Sequence, residues 1–402
     1  VIAVRTGNPQ GIQSVSDLLK KGVSVAIGDP EAAAVGKKTR QLLSASGQWK
    51  ALVQQAIVQK PTVNDIANAV KLGSVDAGVI WDSTAEQYPE LSVIRVPEFE
   101  IGRSDIEIAV VRGSNNPTAA LRFARYVAAR DKGLLIFAAK GFTPVEGDKW
   151  SETPRLTLFA GAVNRQAIEN ALQDFQQREG VTIDTSFQGC GILTAQMQTI
   201  RRDQQSGFPD TYMACDVYYL DTVKDWFQDA VNISDTDIVL VVQNGNPKNI
   251  LSLRDLIRPG VRIALGQPEQ CTIGVLSRKL LQSESLYQKF RDSNNLETET
   301  ATSAMLVPMV ITGSVDAVLA YRSDTKAEHN RMTVVDIDSP LAKAIQPFSI
   351  ARSSDFKHLS RRLFDRITRS REDFETAGFN WRLNGTFNGL PMKTDSYPSG
   401  QN

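Results

Sequence analysis

Gly260-Val-Arg-Ile-Ala-Leu-Gly-Gln-Pro-Glu269, continuing through Gln-Cys-Thr-Ile to Gly274, is a short apolar run that breaks at a glycine, turns, and meets a second glycine. Such a run, bounded by Gly and Pro, reads as a buried strand followed by a loop and a helix start. A near copy stands 238 positions earlier, Gly22-Val-Ser-Val-Ala-Ile-Gly-Asp-Pro-Glu31, and Gly36 then matches Gly274. Working outward, Gly7-Asn8-Pro9 matches Gly245-Asn246-Pro247, and Ser14, Asp17 and Leu18 match Ser252, Asp255 and Leu256. Gly73-Ser-Val-Asp-Ala77 matches Gly313-Ser-Val-Asp-Ala317, and Ala139-Lys-Gly-Phe142 resembles Thr376-Ala-Gly-Phe379. Ordered matches over about 140 residues predict an internal repeat.

Residues 154–237 have no upstream counterpart. The expected organisation is therefore a truncated first copy in 1–150, with a lobe in 1–102 and a return segment in 103–144. A complete second copy follows in 154–388. Its first lobe is expected in 155–237 and 346–388, and its second in 238–345. One option is that the return strand of the first copy replaces the local one beside 155–237. Polar, turn-rich Val145–Pro154 is the expected linker, and 389–402 reads as an unstructured tail. The chain opens at Val1 inside an apolar run, so the front of the first copy and any export signal are expected upstream.

Strand-like runs at 156–159, 182–187, 238–242, 261–265 and 315–319 alternate with helical patterns. The helices are expected after Asn164, as a cap, and near 253–257, 274–281 and 359–368. This is an α/β fold with mostly parallel sheets, whose ligands sit where strand ends face helix starts.

Composition narrows the function. Lys plus Arg and Asp plus Glu both number 45, which leaves no basic excess for a nucleic acid. Two histidines, His329 and His358, give no basis for His-ligated zinc or for His-dependent nucleophilic catalysis. No nucleophile–base pair emerges, so no enzyme and no cofactor are expected.

Five segments together resemble the molybdate/tungstate-type binding proteins of ABC importers, in the type II periplasmic binding protein fold. They are Leu156–Ala162, Gly189–Met197, Asp237–Pro247, Gly266–Gly274 and Ser314–Tyr321. The resemblance covers 154–388 and, in truncated form, 1–150. It implies a two-lobed, extracytoplasmic or periplasmic protein that captures a small oxyanion and delivers it to a membrane permease. The ligand set it implies is Ala162, Val163, Gly189, Cys190, Gly191, Cys271, Thr272, Ile273, Ser303 and Tyr321. Backbone N–H groups at helix starts hold an oxyanion without a formal countercharge, and small residues let the main chain come close. Ala162-Val163 and Cys190 stand where the family commonly has serines, so hydroxyl donors are fewer.

Other readings compete. Cys190, Cys215 and Cys271 could form a thiolate site for a soft metal or sulfur-preferring ligand. Alternatively, Cys190 and Cys215 pair in an oxidising compartment and Cys271 only packs. A ligand-sensing module of a regulator is a third class. Tyr321, equivalent to Trp81 in the repeat, could equally be packing. Asp29-Pro30-Glu31 and Gln267-Pro268-Glu269 read as helix starts, Asp76 and Asp316 as turn residues. Arg361, Arg362, Arg366, Arg369 and Arg371 read as a solvated face or a docking surface.

Overall fold

The structure, a computed structural model, describes residues 1–383. The expected tail at 389–402 and the last residues of the second copy lie outside the described residues. Two compact units result: Val1–Val111 with Ala124–Gly147, and Arg112–Phe123 with Asp148 onward. The expected linker thus spans the unit boundary at Gly147, but residues 112–123 belong with the second unit. No helix among the described residues is long and apolar enough to cross a membrane.

The first unit is a five-stranded sheet of β1 (Ile2–Arg5), β2 (Val25–Gly28), β3 (Ala56–Lys60), β4 (Ala77–Val79) and β5 (Leu91–Ile94), ordered β3-β2-β4-β1-β5. Alternation along the strands builds two cores. Ile2, Val4, Val25 and Ile27 face one layer with Ile12, Leu18 and Leu43. Ala3 and Ala26 face the other, where small side chains admit Ile66 and Val70 of the helix Val63–Lys71.

The second unit carries a ten-stranded sheet. Its strands are β6 (Arg155–Gly161), β7 (Thr182–Gln188), β8 (Thr211–Met213), β9 (Val231–Gln243), β10 (Ile263–Gly266), β11 (Leu296–Thr300), β12 (Ala317–Tyr321), β13 (Met332–Val335), β14 (Lys343–Ile350) and β15 (Asn380–Trp381). The main path runs β11-β10-β12-β9-β14-β8-β6-β7, and β13 and β15 also pair with β9. The α/β class holds, with one correction: the sheet is mixed. The pairs β6–β7, β6–β8, β10–β11 and β10–β12 are parallel, but β9 and β14 pair antiparallel with every neighbour. They are the two passes of chain between the halves of the unit. Thirteen-residue β9 pairs with β14 through Val231–Asp237 and with β12 through Ile238–Val242.

The strand order β3-β2-β4-β1-β5 of the first unit is also that of β11-β10-β12-β9-β13 in the second. Registers agree as well. Val25 pairs with Ala56 and Ile263 with Leu296, each followed by a register shift, and Ile2 pairs with Val79 as Leu240 does with Leu319. The aspartates of the repeated Gly-Ser-Val-Asp are structural, as expected, but they act across strands rather than in a turn. Asp76 accepts from Ser24 N–H and Oγ, and Asp316, 4% exposed, from Arg262 N–H and its guanidinium. Residues 103–111 form no strand, and β14 fills the place beside β8 and β9, so the exchanged return strand does not occur.

Three local expectations change. Asn164 does not cap by its side chain; its Nδ2 donates to the carbonyls of Met213 and Ala214, tying β8 to the following helix Arg165–Glu179. Asp29 and Gln267 organise turns ahead of the helices, accepting from Glu31 N–H and Gln270 N–H, and those helices begin at Ala34 and Thr272. The arginine run is only partly a solvated face. On the helix Lys357–Ile367, Arg362 pairs with Glu179, and Arg366 reaches Asp174 at 2.6 Å. Both partners lie on the helix Arg165–Glu179, so the return helix is fastened to its neighbour by charge as well as by Leu359 and Leu363.

Glu179 is 2% exposed, and removing the guanidinium beside a buried carboxylate leaves its desolvation less compensated. Arg362→Ala is expected to lower stability by about 2–3 kcal/mol in urea unfolding. The double variant Glu179→Met/Arg362→Met should recover most of that loss.

Candidate functional site

Four chain segments that end a strand and open a helix converge in the second unit. Gly161 ends β6, and a tight turn Ala162–Asn164 leads into the helix Arg165–Glu179. Gly189 follows β7 and precedes the helix Cys190–Arg202. Cys271 precedes the helix Thr272–Ser283, and Thr302 precedes the turn Ser303–Met305 and the helix Leu306–Ile311. The first N–H groups of a helix have no acceptor within it, so each segment brings main-chain donors and a positive dipole end to one place.

These ends enclose one cavity lined by Ala162, Val163, Gln188, Gly189, Cys215, Cys271, Thr272, Ile273, Thr302, Ser303 and Tyr321. None of these side chains carries a formal charge. About 10 Å³ is open to the centre of a water-sized sphere. Tyr321, at the end of β12, is 1% exposed, and its hydroxyl has no hydrogen-bond partner in the protein. Burial holds its phenol well above the usual range, so it is a neutral donor. The Thr272 hydroxyl faces the sulfurs of Cys190 and Cys215 without reaching hydrogen-bond geometry. Buried polar groups rarely go unpaired, and the Tyr321 hydroxyl marks a place for an acceptor in this cavity.

Of the ten residues expected from sequence, eight line this cavity and two do not. Gly191 and Cys190 stand behind it for a steric reason. A Cβ at Gly191 would fall 2.2 Å from the Glu269 carbonyl oxygen, and one at Gly189 would fall 2.4 Å from that of Gln270. The glycines thus admit the backbone of the opposite half, where a ligand was expected. Ile192 N–H donates to the Gln270 carbonyl at 3.3 Å, and Tyr219 Oη donates to the Pro268 carbonyl at 2.7 Å. Gln188 and Thr302 escaped the sequence reading because each precedes its helix and belongs to no motif.

The three cysteines do not assemble as a metal site. Cys190 and Cys215 face each other, but the Cys271 sulfur lies 3.5 Å from the carbonyl oxygens of Gln267 and Thr300. Among the described residues no group of three His, Cys, Asp or Glu is placed to hold a metal ion. Burial pushes the Cys271 thiol up to about 11 and keeps it protonated. Behind Ser303, burial raises the Asp324 carboxyl to about 7, with the Ser303 hydroxyl favouring its ionised form.

A family model described as bacterial extracellular solute-binding protein matches residues 1–143 and 156–380. The molybdate-binding protein ModA of Mycobacterium tuberculosis is 27% identical over 184 residues, 45% of this chain and 66% of the relative. ModA of Mycobacterium bovis matches with the same figures. The match therefore spans just under two-thirds of the length of these relatives. Among solved structures, the periplasmic molybdate-binding protein of Azotobacter vinelandii is similar over 57% of this chain and 100% of that one, at 12% identity and a TM-score of 0.47. The sulfate-binding protein SubI of Mycobacterium tuberculosis is similar over 56% and 86%, at 19% identity and a TM-score of 0.46. With the family model matched over well beyond half of its residues, this chain belongs to the bacterial extracellular solute-binding proteins, a family of receptors and not of enzymes.

Proposed function

We propose that the second unit captures a small tetrahedral oxyanion, of the molybdate, tungstate or sulfate kind, between its two halves. The observation that carries this reading is the buried, unpartnered Tyr321 hydroxyl in an uncharged cavity bounded by four helix starts. A cation has no carboxylate among the lining residues. A protonated oxyanion needs an acceptor for its own proton, and a carboxylate is the usual one. Main-chain N–H groups and hydroxyls suit a fully deprotonated anion instead. The molybdate-binding relatives support the same ligand class.

In this reading the protein works outside the cytoplasm and hands its anion to an ABC importer in the membrane, with no nucleic acid and no cofactor involved. Residues 154–388 act as the receptor. Residues 1–150 repeat part of it, a view supported by the shared strand order and registers of the two units.

Thermal unfolding with 1 mM molybdate, tungstate, sulfate, phosphate, copper or zinc tests the ligand class. A native-state ligand at a thousandfold excess over its Kd stabilises by about 4 kcal/mol. The expected result is a Tm rise of at least about 5 °C with one or more of the first three anions and none with the metals. A rise with copper or zinc alone sinks the reading.

Tyr321→Phe removes one donor to a charged ligand and should weaken anion binding by about 10- to 100-fold in calorimetry. The same change removes a buried unpaired hydroxyl, so the unliganded Tm should hold or rise. A large fall in the unliganded Tm would assign Tyr321 to packing. Gly191→Val should also weaken binding more than tenfold, by holding the halves apart at Glu269 and Gln270. Its unliganded Tm should change little, because the collision is relieved when the halves part.

A further inference from the structure

One feature near the cavity is unused by the anion reading. Cys190 and Cys215 bring their sulfurs to 2.8 Å, and the Cys215 N–H donates to the Cys190 sulfur at 3.1 Å. Both residues are buried, Cys190 fully and Cys215 at 5% exposure. Gly161 makes room for them, since a Cβ there would lie 2.1 Å from the Cys215 sulfur and 2.9 Å from that of Cys190. Cys190 is the first residue of the helix Cys190–Arg202, and Cys215 lines the cavity two residues after β8. The pair therefore joins two ligand-side loops of one half.

We propose that Cys190 and Cys215 form a reversible disulfide that fastens these loops together and tightens the anion site. The proposal rests on the anion-receptor reading for its effect on affinity, and on geometry alone for the bond. A shift of under about 1 Å brings the sulfurs to the bonding distance of about 2.05 Å. Chemically the pair is asymmetric. Burial opposes ionisation of Cys190, but hydrogen bonds from the Cys215 thiol and N–H outweigh it and lower its pKa. The Cys215 thiol is held well above its usual range, chiefly by its hydrogen bond to Cys190. Of the two, Cys190 ionises more readily and attacks first, and Cys215 resolves.

The oxidant is a small-molecule disulfide. The Cys190 thiolate attacks one of its sulfurs, the disulfide bond breaks, and one thiolate leaves. Cys215 then gives up its proton and attacks the Cys190 sulfur, releasing the second thiolate. Two electrons pass from the protein dithiol to the reagent, which ends as two thiols. Since both sulfurs are buried, exchange takes place when the halves part or as the chain folds.

Covalent closure makes the oxidised form the tighter receptor, because it adds rigidity to loops that otherwise pay an ordering cost on binding.

The test uses the whole chain, divided into a portion treated with a small-molecule disulfide and a portion treated with a dithiol reductant. Alkylation after unfolding, read by mass, is expected to modify only Cys271 in the first portion and all three cysteines in the second. Calorimetry with molybdate, tungstate and sulfate is expected to give at least fivefold tighter binding to the oxidised portion. Cys190→Ser, which changes no residue lining the cavity, is expected to bind at the reduced affinity under both treatments. Alkylation of all three cysteines in both portions overturns the proposal, and so do equal affinities. If the thiol count falls as expected but neither portion binds any anion, the anion reading fails and the coupling with it, while the bond stands.

Discussion

An anion stripped of water loses several kilocalories per mole of hydration, and a protein that offers no opposite charge must replace it with dipoles. In the proposed reading those dipoles are main-chain N–H groups at the starts of helices, which act only at close range because each carries a fraction of a charge. The second unit is built so that several such starts come together. Strands end together so that helices begin together, and Gly161, Gly189 and Gly266 stand at those ends where a side chain would collide. Gly266 and Gly274 illustrate how tight this is: a Cβ at Gly274 would lie 2.4 Å from the Gly266 carbonyl oxygen. The helix Thr272–Ser283 can therefore start directly against the end of β10.

That glycine pair is also why so much of the architecture was legible in the sequence. Two glycines eight residues apart, after an apolar run, occur at Gly28 and Gly36 and again at Gly266 and Gly274, and in both units they sit where strand meets helix. The helix starts at Gly189, Thr272 and Ser303, and the aromatic end of β12, follow from the same local grammar. What sequence could not supply was direction. Whether a small residue faces ligand or the opposite backbone depends on how the halves meet, and Gly191 faces backbone. Asn164 carried a capping signature, yet its amide found two carbonyls at the end of β8, a partner some fifty residues away in sequence.

The cysteines make the same point in chemical terms. Their positions in three ligand-side segments suggested a common site, but sulfur placement depends on side-chain direction. One thiol is turned to main-chain carbonyls of its own half, and the other two face each other across the loops of theirs. The arginines of the return helix behaved similarly. Their spacing marked an exposed stripe, and the neighbouring helix supplied acidic partners for two of them.

The chain crosses between the halves of the second unit twice, in β9 and β14, and the crossings are side by side at Asp237 and Lys343. Lys343 lies 2.8 Å from Asp235 and 3.2 Å from Asp237, Arg322 reaches Asp237, and Arg382 reaches Asp235. Two adjacent strands braced by charge resist sliding and twisting far more than bending about an axis across them. Separation of the halves is thereby reduced to a single rotation, like a book opening on its spine. When the halves part, the starts at Ala162 and Gly189 stay together on one half and those at Thr272 and Ser303 on the other.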